Sequence, residues 1–307
     1  MNKRIILLFL LIVLAFSSCS REPLLSLQGR TMGTWYTIKI SNVDSEHDQE
    51  RIEMAVNTAL TKVNHSLNTY DPKSEISKFN AYNESGAFPV SEEFMVVSQT
   101  AERIYMESDG AFDPTVKELV QLWGFGDSGL AKRPDPQAVE MAMEHVGMQK
   151  LRLLENGILK KDPATQLDYS AIAKGYGVDI VLEELTLLGY EDILIEIGGE
   201  VRAKGSRHGK PWRIGIAVPK ENNVGNQQSN ETIILNNKAC ATSGDYQQFY
   251  EEEGERYSHL IDPKTGYPIK HDVTSVTVVA ESCMLADAAA TAAIVLGKTK
   301  GLEFIES

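Results

Sequence analysis

The stretch Ala286-Asp-Ala-Ala-Ala-Thr-Ala-Ala293 restricts the fold more than any other part of this chain. It runs through Ile-Val-Leu to Gly297, which predicts a helix that is apolar on every side and ends at glycine. Such a helix must be enclosed by other elements. Asp287 and Thr291 stand four residues apart and therefore share one face. A carboxylate in these surroundings has to be paired or ligate a metal. With a hydroxyl beside it and no His or Cys nearby, the donors suit Mg²⁺. The alternative is an Asp favoured by the helix dipole, with Thr bonded back to the backbone.

The remaining elements come in mixed order. Residues 34–40 alternate in polarity and are rich in aromatic and β-branched types, which predicts a strand. Apolar residues at helical spacing predict a helix over 48–67, and Ser91 is a fitting N-cap for another through Tyr105. Two more helices are expected over 135–145 and 173–188, the second closed by Gly189. Short strands are expected at 192–197, 200–204, 212–218, 231–236 and 273–280, with a polar loop at 221–230. No regular βαβ beat is present, so the pattern implies an α+β fold with mixed-order helices and a largely antiparallel sheet. Pro72, Pro114, Pro136, Pro163 and Pro263 each follow Asp and mark turns that present side chains from loops.

Lys3 and Arg4 precede an apolar run over 5–16, followed by Ser17, Ser18 and Cys19. That order describes a secretory signal, and the run is shorter than the roughly 20 residues that span a bilayer. Cys19 after two small residues predicts a lipoprotein: residues 1–18 removed, Cys19 diacylated, 19–28 a tether and 29–307 one domain. A signal cut elsewhere, or left uncleaved, is the alternative, and Phe16 departs from the usual Leu. Cys240 and Cys283 permit one disulfide, and no Cys-x-x-Cys suggests a metal cluster. With 30 basic and 43 acidic residues, a net charge of −13 and no dense basic patch, nucleic acid is not an expected partner. An apolar share of 42% suits a packed globular chain.

Several loops carry candidate chemistry. His259 stands before the turn Asp262-Pro-Lys-Thr-Gly266, where it can accept a proton near neutral pH or serve the structure alone. Residues 167–177 are expected to join a strand end to a helix start. There Asp168 can receive hydrogen bonds from a ligand imide or amide, the small residues at 170–173 admit a ligand or metal, and Lys174 offers charge to phosphate. The spacing is neither a P-loop nor a dinucleotide fingerprint. Glu196-Ile-Gly-Gly-Glu200 is a second place of backbone approach or a β-bulge. Met32 with Gly33, Tyr70, and Gly110-Ala-Phe-Asp-Pro-Thr-Val116 each read singly as turns.

Taken together and in order, these segments resemble the ApbE family, the FAD:protein FMN transferases. The likeness runs from about Gly29 to Gly297 through Thr-Met-Gly-Thr (31–34), Tyr-Asp-Pro-Lys-Ser-Glu-Ile-Ser (70–77) and Gly-Ala-Phe-Asp-Pro-Thr-Val (110–116). It continues through Leu-Trp-Gly-Phe-Gly (122–126), Asp-Tyr-Ser-Ala-Ile-Ala-Lys-Gly-Tyr (168–176), Ile-Gly-Gly-Glu (197–200) and Ala-Thr-Ser-Gly-Asp-Tyr (241–246). His-Leu-Ile-Asp-Pro-Lys-Thr-Gly-Tyr-Pro (259–268) and Ala-Asp-Ala-Ala-Ala-Thr (286–291) complete it.

The resemblance implies an ApbE-like, T-fold-related domain that attaches FMN through a phosphoester to a Thr or Ser of a partner protein. FAD would be the donor and AMP the leaving group. By position, Met32, Tyr70, Ala111, Phe112, Asp113, Asp168, Lys174 and Ile261 are implied to line the FAD site. Ala171, through its carbonyl, Asp287 and Thr291 are implied to hold Mg²⁺, with His259 as base. The implied partner is a subunit of a membrane redox complex, which with an acylated Cys19 points to the periplasmic face of the inner membrane. An FAD pyrophosphatase giving FMN and AMP, and a flavin-binding lipoprotein without chemistry, are the competing readings. Many relatives carry an acidic residue where Ala290 stands, so one carboxylate fewer is expected. Relatives usually continue beyond the position of Ser307 through a further helix and strand, so a truncated C-terminal end is expected.

Overall fold

The computed structural model describes residues 24–43, 45–126, 132–217, 229–246 and 248–307. The expected signal, Cys19 and positions 221–228 of the expected polar loop lie outside the described residues, and 229–230 belong to a strand. Leu24–Thr31 (β1) and Thr34–Ser41 (β2) pair antiparallel, with Leu27 opposite Ile38. Met32 and Gly33 form the connecting loop with φ of 47° and 72°, the left-handed pair whose twist suits a two-residue hairpin. The expected tether over 19–28 is therefore corrected from Leu24 onward. Leu27 buries against Ile38 and Ile40, and that burial makes 24–28 part of the domain.

Ile193–Ile197 (β3), Glu200–Lys204 (β4), Ala239–Gly244 (β5) and Ser275–Ala280 (β6) complete a six-stranded sheet. Its strands neighbour one another in chain order and every pairing is antiparallel. The longer helices are Glu46–Leu67 (α1), Glu92–Glu107 (α2), Ala173–Leu187 (α3) and Cys283–Glu306 (α4). α1 and α3 cover one face of the sheet. Ile52, Val56, Val178 and Val181 meet Ile38, Ile40, Ile193 and Ile195 there, at roughly 1.5–3 kcal/mol per buried side chain. On the opposite face Trp212 and Leu235, from strands Lys210–Ala217 and Ser229–Leu235, cover Leu194, Val201 and Cys240.

The α+β expectation holds, and the long elements fall where their periodicity put them. Ser91 caps α2 by accepting from Phe94 N, and Asp135 caps Pro136–Met143 instead of being its first residue. Gly297, at φ 75°, interrupts α4 as expected of a terminator, but helix resumes to Glu306. His271 Nε2 lies 2.6 Å from the Ile294 carbonyl, which the kink releases. No strand runs up to 167–177: Gln166, just before it, makes an isolated bridge to Val116. Gly198 and Gly199 form the β3–β4 hairpin turn, and the register beside them is regular, without a bulge. Cys240 and Cys283 are buried free thiols. No helix among the described residues is long and apolar enough to cross a membrane.

Candidate active site

α3 and α4 meet backbone to backbone. A Cβ on Gly175 would lie 2.4 Å from the Cys283 carbonyl oxygen, so only glycine permits the approach. Asp179 locks it: its carboxylate accepts from Cys283 N at 2.8 Å and Met284 N at 2.9 Å, and pairs with Arg202 at 2.7 Å. A carboxylate over the first N–H groups of a helix meets both their hydrogen-bonding need and the helix dipole. The enclosed helix is thereby fixed in rotation, with Asp287 and Thr291 turned into a cavity of about 480 Å³. That volume falls within the roughly 300–1,000 Å³ of small-molecule sites.

All twelve residues singled out within the domain line this one cavity. Met32 comes from the β1–β2 turn and Tyr70 from the loop after α1. Ala111, Phe112 and Asp113 lie on the loop after α2, and Asp168, Ala171 and Lys174 on the approach to α3 and its first turn. His259 and Ile261 follow strand Glu255–Ser258, and Asp287 and Thr291 project from α4. The loops are tied to one another. Asp168 N donates to Pro114 O at 2.7 Å, Asn80 holds Leu167 through both its side-chain oxygen and nitrogen, and Trp123 Nε1 donates to Gly266 O at 2.8 Å. Tyr169, fully buried, shares a 2.7 Å hydrogen bond with Ser98 and anchors the loop between Asp168 and Ala171.

The charged end of the cavity holds two carboxylates and one ammonium. Lys174 Nζ lies 3.2 Å from Glu200 Oε1 and 3.9 Å from Asp287 Oδ1. Burial disfavours the Lys174 charge, but the two carboxylates outweigh it and hold its pKa above the ordinary value. Burial pushes Asp287 and Glu200 upward, with Lys174 pulling the other way. Asp287 Oδ2 accepts only from Gly175 N, at 3.0 Å, and Glu200 Oε2 is buried with no hydrogen-bond partner. Two buried carboxylates facing one ammonium leave the site short of positive charge. With the Thr291 hydroxyl and Ala171 carbonyl on the same wall, the donors are those of a hard divalent cation, so the residues fit Mg²⁺. Among the described residues no cluster of three or more His, Cys, Asp or Glu could hold a metal by itself.

His259, partly buried, lines the same cavity. Its Nδ1 is 3.1 Å from the Gln248 carbonyl, which can only accept, so Nδ1 carries the proton and Nε2 keeps its lone pair. Burial lowers the His259 pKa, Lys174 lowers it further, and the Gln248 contact and Asp245 oppose them. The ring is thus neutral at pH 7. Phe125 stands edge-on to it at 6.2 Å. Asp113 is pushed up to about 6 by burial, against the Thr115 amide and hydroxyl that donate to it at 2.8 and 2.6 Å.

A family model described as "ApbE family" matches residues 32–307. The chain belongs to the ApbE family. It is 41% identical over 286 residues to the FAD:protein FMN transferase of Vibrio cholerae, covering 92% of this chain and 84% of that one. It is 40% identical to the protein of the same name from Haemophilus influenzae, covering 95% and 87%. Of solved structures, the flavin transferase ApbE of Vibrio cholerae superposes with a TM-score of 0.84 at 39% identity, covering 93% of this chain and 91% of that one. The apo flavinyl transferase ApbE of Pseudomonas stutzeri also gives 0.84, at 35% identity, covering 93% and 88%. The expected ApbE-like fold and transferase class therefore hold.

Sequence reasoning on this ApbE chain missed Glu200, Ser243 and Gln248. Glu200 lay inside a quoted motif, where the adjacent glycines drew the attention. Ser243, 3.0 Å from Thr291 Oγ1, lay in another motif without a role. Gln248 acts through its carbonyl, which no side-chain motif encodes. Ala290 is fully buried beside Val278 and does not line the cavity, whereas Glu200 does. Lys174 therefore meets a second carboxylate beside Asp287, supplied by β4 and not by α4.

Proposed function

We propose that this protein transfers FMN from FAD to a Thr or Ser hydroxyl of a partner protein in an Mg²⁺-dependent reaction that releases AMP. The observation that carries the reading is one cavity lined both by buried, cation-poor carboxylates and by a neutral, tautomer-fixed His259. The relatives' name, FAD:protein FMN transferase, supports the same reaction. Asp287, Thr291 and the Ala171 carbonyl would hold Mg²⁺, which when bound neutralises diphosphate charge as a Lewis acid. Lys174 adds a fixed positive charge toward the phosphates, and Tyr70, Phe112, Asp113, Asp168, Met32, Ala111 and Ile261 would orient the flavin nucleotide. His259 Nε2 takes the proton as the acceptor oxygen bonds to the phosphorus on the riboflavin side and the bond from that phosphorus to the AMP oxygen breaks. In such a transfer positioning and charge neutralisation supply most of the rate.

Export, acylation at Cys19 and a membrane redox-complex subunit as acceptor belong to the same proposal. Anchoring to the periplasmic face of the inner membrane would raise the effective concentration of an acceptor held there. Metabolic labelling with palmitate, retained by wild type and absent from Cys19→Ala, tests the anchor. The reaction is tested by incubation with FAD, Mg²⁺ and a Thr-containing acceptor, read by mass spectrometry beside His259→Ala. The expected result is a covalent FMN shift on the acceptor in wild type only. Free FMN and AMP with an unlabelled acceptor would replace the reading with a pyrophosphatase. Bound but unchanged FAD would replace it with a binding protein.

A further inference from the structure

Glu200 takes no part in the steps above, yet it is a buried carboxylate in the cavity wall. It opens β4 directly after the Gly198-Gly199 turn, and its side chain is 4% exposed. One oxygen, Oε1, meets Lys174 at 3.2 Å; the other, Oε2, is buried without a hydrogen-bond partner in a residue that lines the cavity. A buried, unpartnered carboxylate oxygen is costly unless a cation answers it. Lys174 meanwhile stands between two acids and sits nearer Glu200 than Asp287, at 3.2 against 3.9 Å.

From this geometry we infer that Glu200 is a positioning residue: it draws the Lys174 ammonium away from Asp287 and so keeps Asp287 open to a divalent cation. The inference rests on the Mg²⁺ reading given above. Without the Glu200 charge, Lys174 has a single carboxylate to pair with. Closing onto Asp287 Oδ1 would then occupy the oxygen that a cation needs and leave its positive charge at the same spot. Glu200 therefore acts on cation binding through Lys174.

The test is Mn²⁺ binding followed by electron paramagnetic resonance, with Mg²⁺ as competitor and without FAD or acceptor. Glu200→Gln keeps shape and is expected to weaken Mn²⁺ binding by roughly 10–100-fold, the usual cost of losing a group that supports a metal ligand. Glu200→Gln combined with Lys174→Met is expected to regain most of that loss. Thermal melts of each variant separate cation effects from unfolding. Unchanged affinity in Glu200→Gln overturns the inference. A double variant as weak as the single one also overturns it, since Glu200 would then bind the cation itself or serve only the fold. A wild-type protein that takes no Mn²⁺ refutes the Mg²⁺ reading as well, which distinguishes the two failures.

Discussion

Gly175→Ala tests whether the α3–α4 contact holds the site together. The new Cβ would sit 2.4 Å from the Cys283 carbonyl oxygen and 2.8 Å from Met284 Cα, whereas real Cβ contacts essentially never fall under 3.0 Å. The helices must part by about 0.6 Å, the difference between the contact and that floor, because both opposing atoms are backbone and no rotamer can yield. Overpacking of this kind costs about 1–3 kcal/mol. The hydrogen bond from Gly175 N to the Asp287 carboxylate, at 3.0 Å, would lengthen past useful range, and bonds to charged groups contribute about 1.5–3 kcal/mol. Against this stands a gain of up to about 1 kcal/mol from replacing glycine in a helix. The net is a loss of roughly 1.5–6 kcal/mol, and at about 2–4 °C per kcal/mol the melting temperature falls on the order of 10 °C. Scanning calorimetry reads the melt, and Mn²⁺ binding reads the displaced carboxylate. A melting temperature equal to or above wild type, with unchanged Mn²⁺ affinity, would refute the account of the contact.

Three further outcomes follow from the same geometry. Asp179→Ala strips two N–H groups at the start of α4 and the Arg202 guanidinium of their acceptor, and should cost about 3 kcal/mol in urea unfolding; a loss near zero refutes its locking role. Because burial depresses the His259 pKa below the ordinary 6.5, transfer should be flat with pH above that value and fall as pH drops through the lowered pKa. An acid limb centred above 6.5 would refute the environment assigned to that ring. Asp113 has its pKa raised from 3.8 to about 6, so the stability it contributes is present below 3.8 and lost as pH rises through about 6. The melting temperature of Asp113→Asn minus that of wild type should therefore grow more positive from pH 5 to pH 7, and a pH-independent difference refutes the shift.

The parts legible in the sequence were those whose signal is local. α1 and α2 carry long apolar periodicity with serine caps, and α4 carries an unmistakable run of alanine. β5, Ala-Cys-Ala-Thr-Ser-Gly, has small and polar residues with no strand-like alternation, and gains its place only by pairing with β4 and β6. The expected strand entering the turn at Asp262 is Glu255–Ser258, ending just before His259; its acid-rich partner Phe249–Glu252 carries no sequence signal, and stacking of Tyr250 on Tyr257 and of Tyr257 on Trp123 holds the pair beside His259. β1 was hidden by its position next to the expected anchor, although Leu24, Leu25 and Leu27 are apolar. Site positions were legible because turn motifs mark them. Their partners were not, since the Lys174–Glu200 pair and the Gln248–His259 contact join residues that only the fold brings together.

The surroundings of Asp287 and of His259 are built on different principles, and this bears on how the reaction can proceed. The carboxylate end is set by backbone contact between two helices and by the Asp179 lock, so its atoms have little freedom; Asp287 is 3% exposed. His259 follows a hairpin that stacks Tyr257 on Trp123 and accepts from Arg133 N at Glu252 Oε2, and the ring stays partly exposed. A phosphoryl transfer needs fixed charges around the diphosphate but a reachable base for an incoming protein hydroxyl. Rigid burial at the first point and access at the second meet those two needs separately.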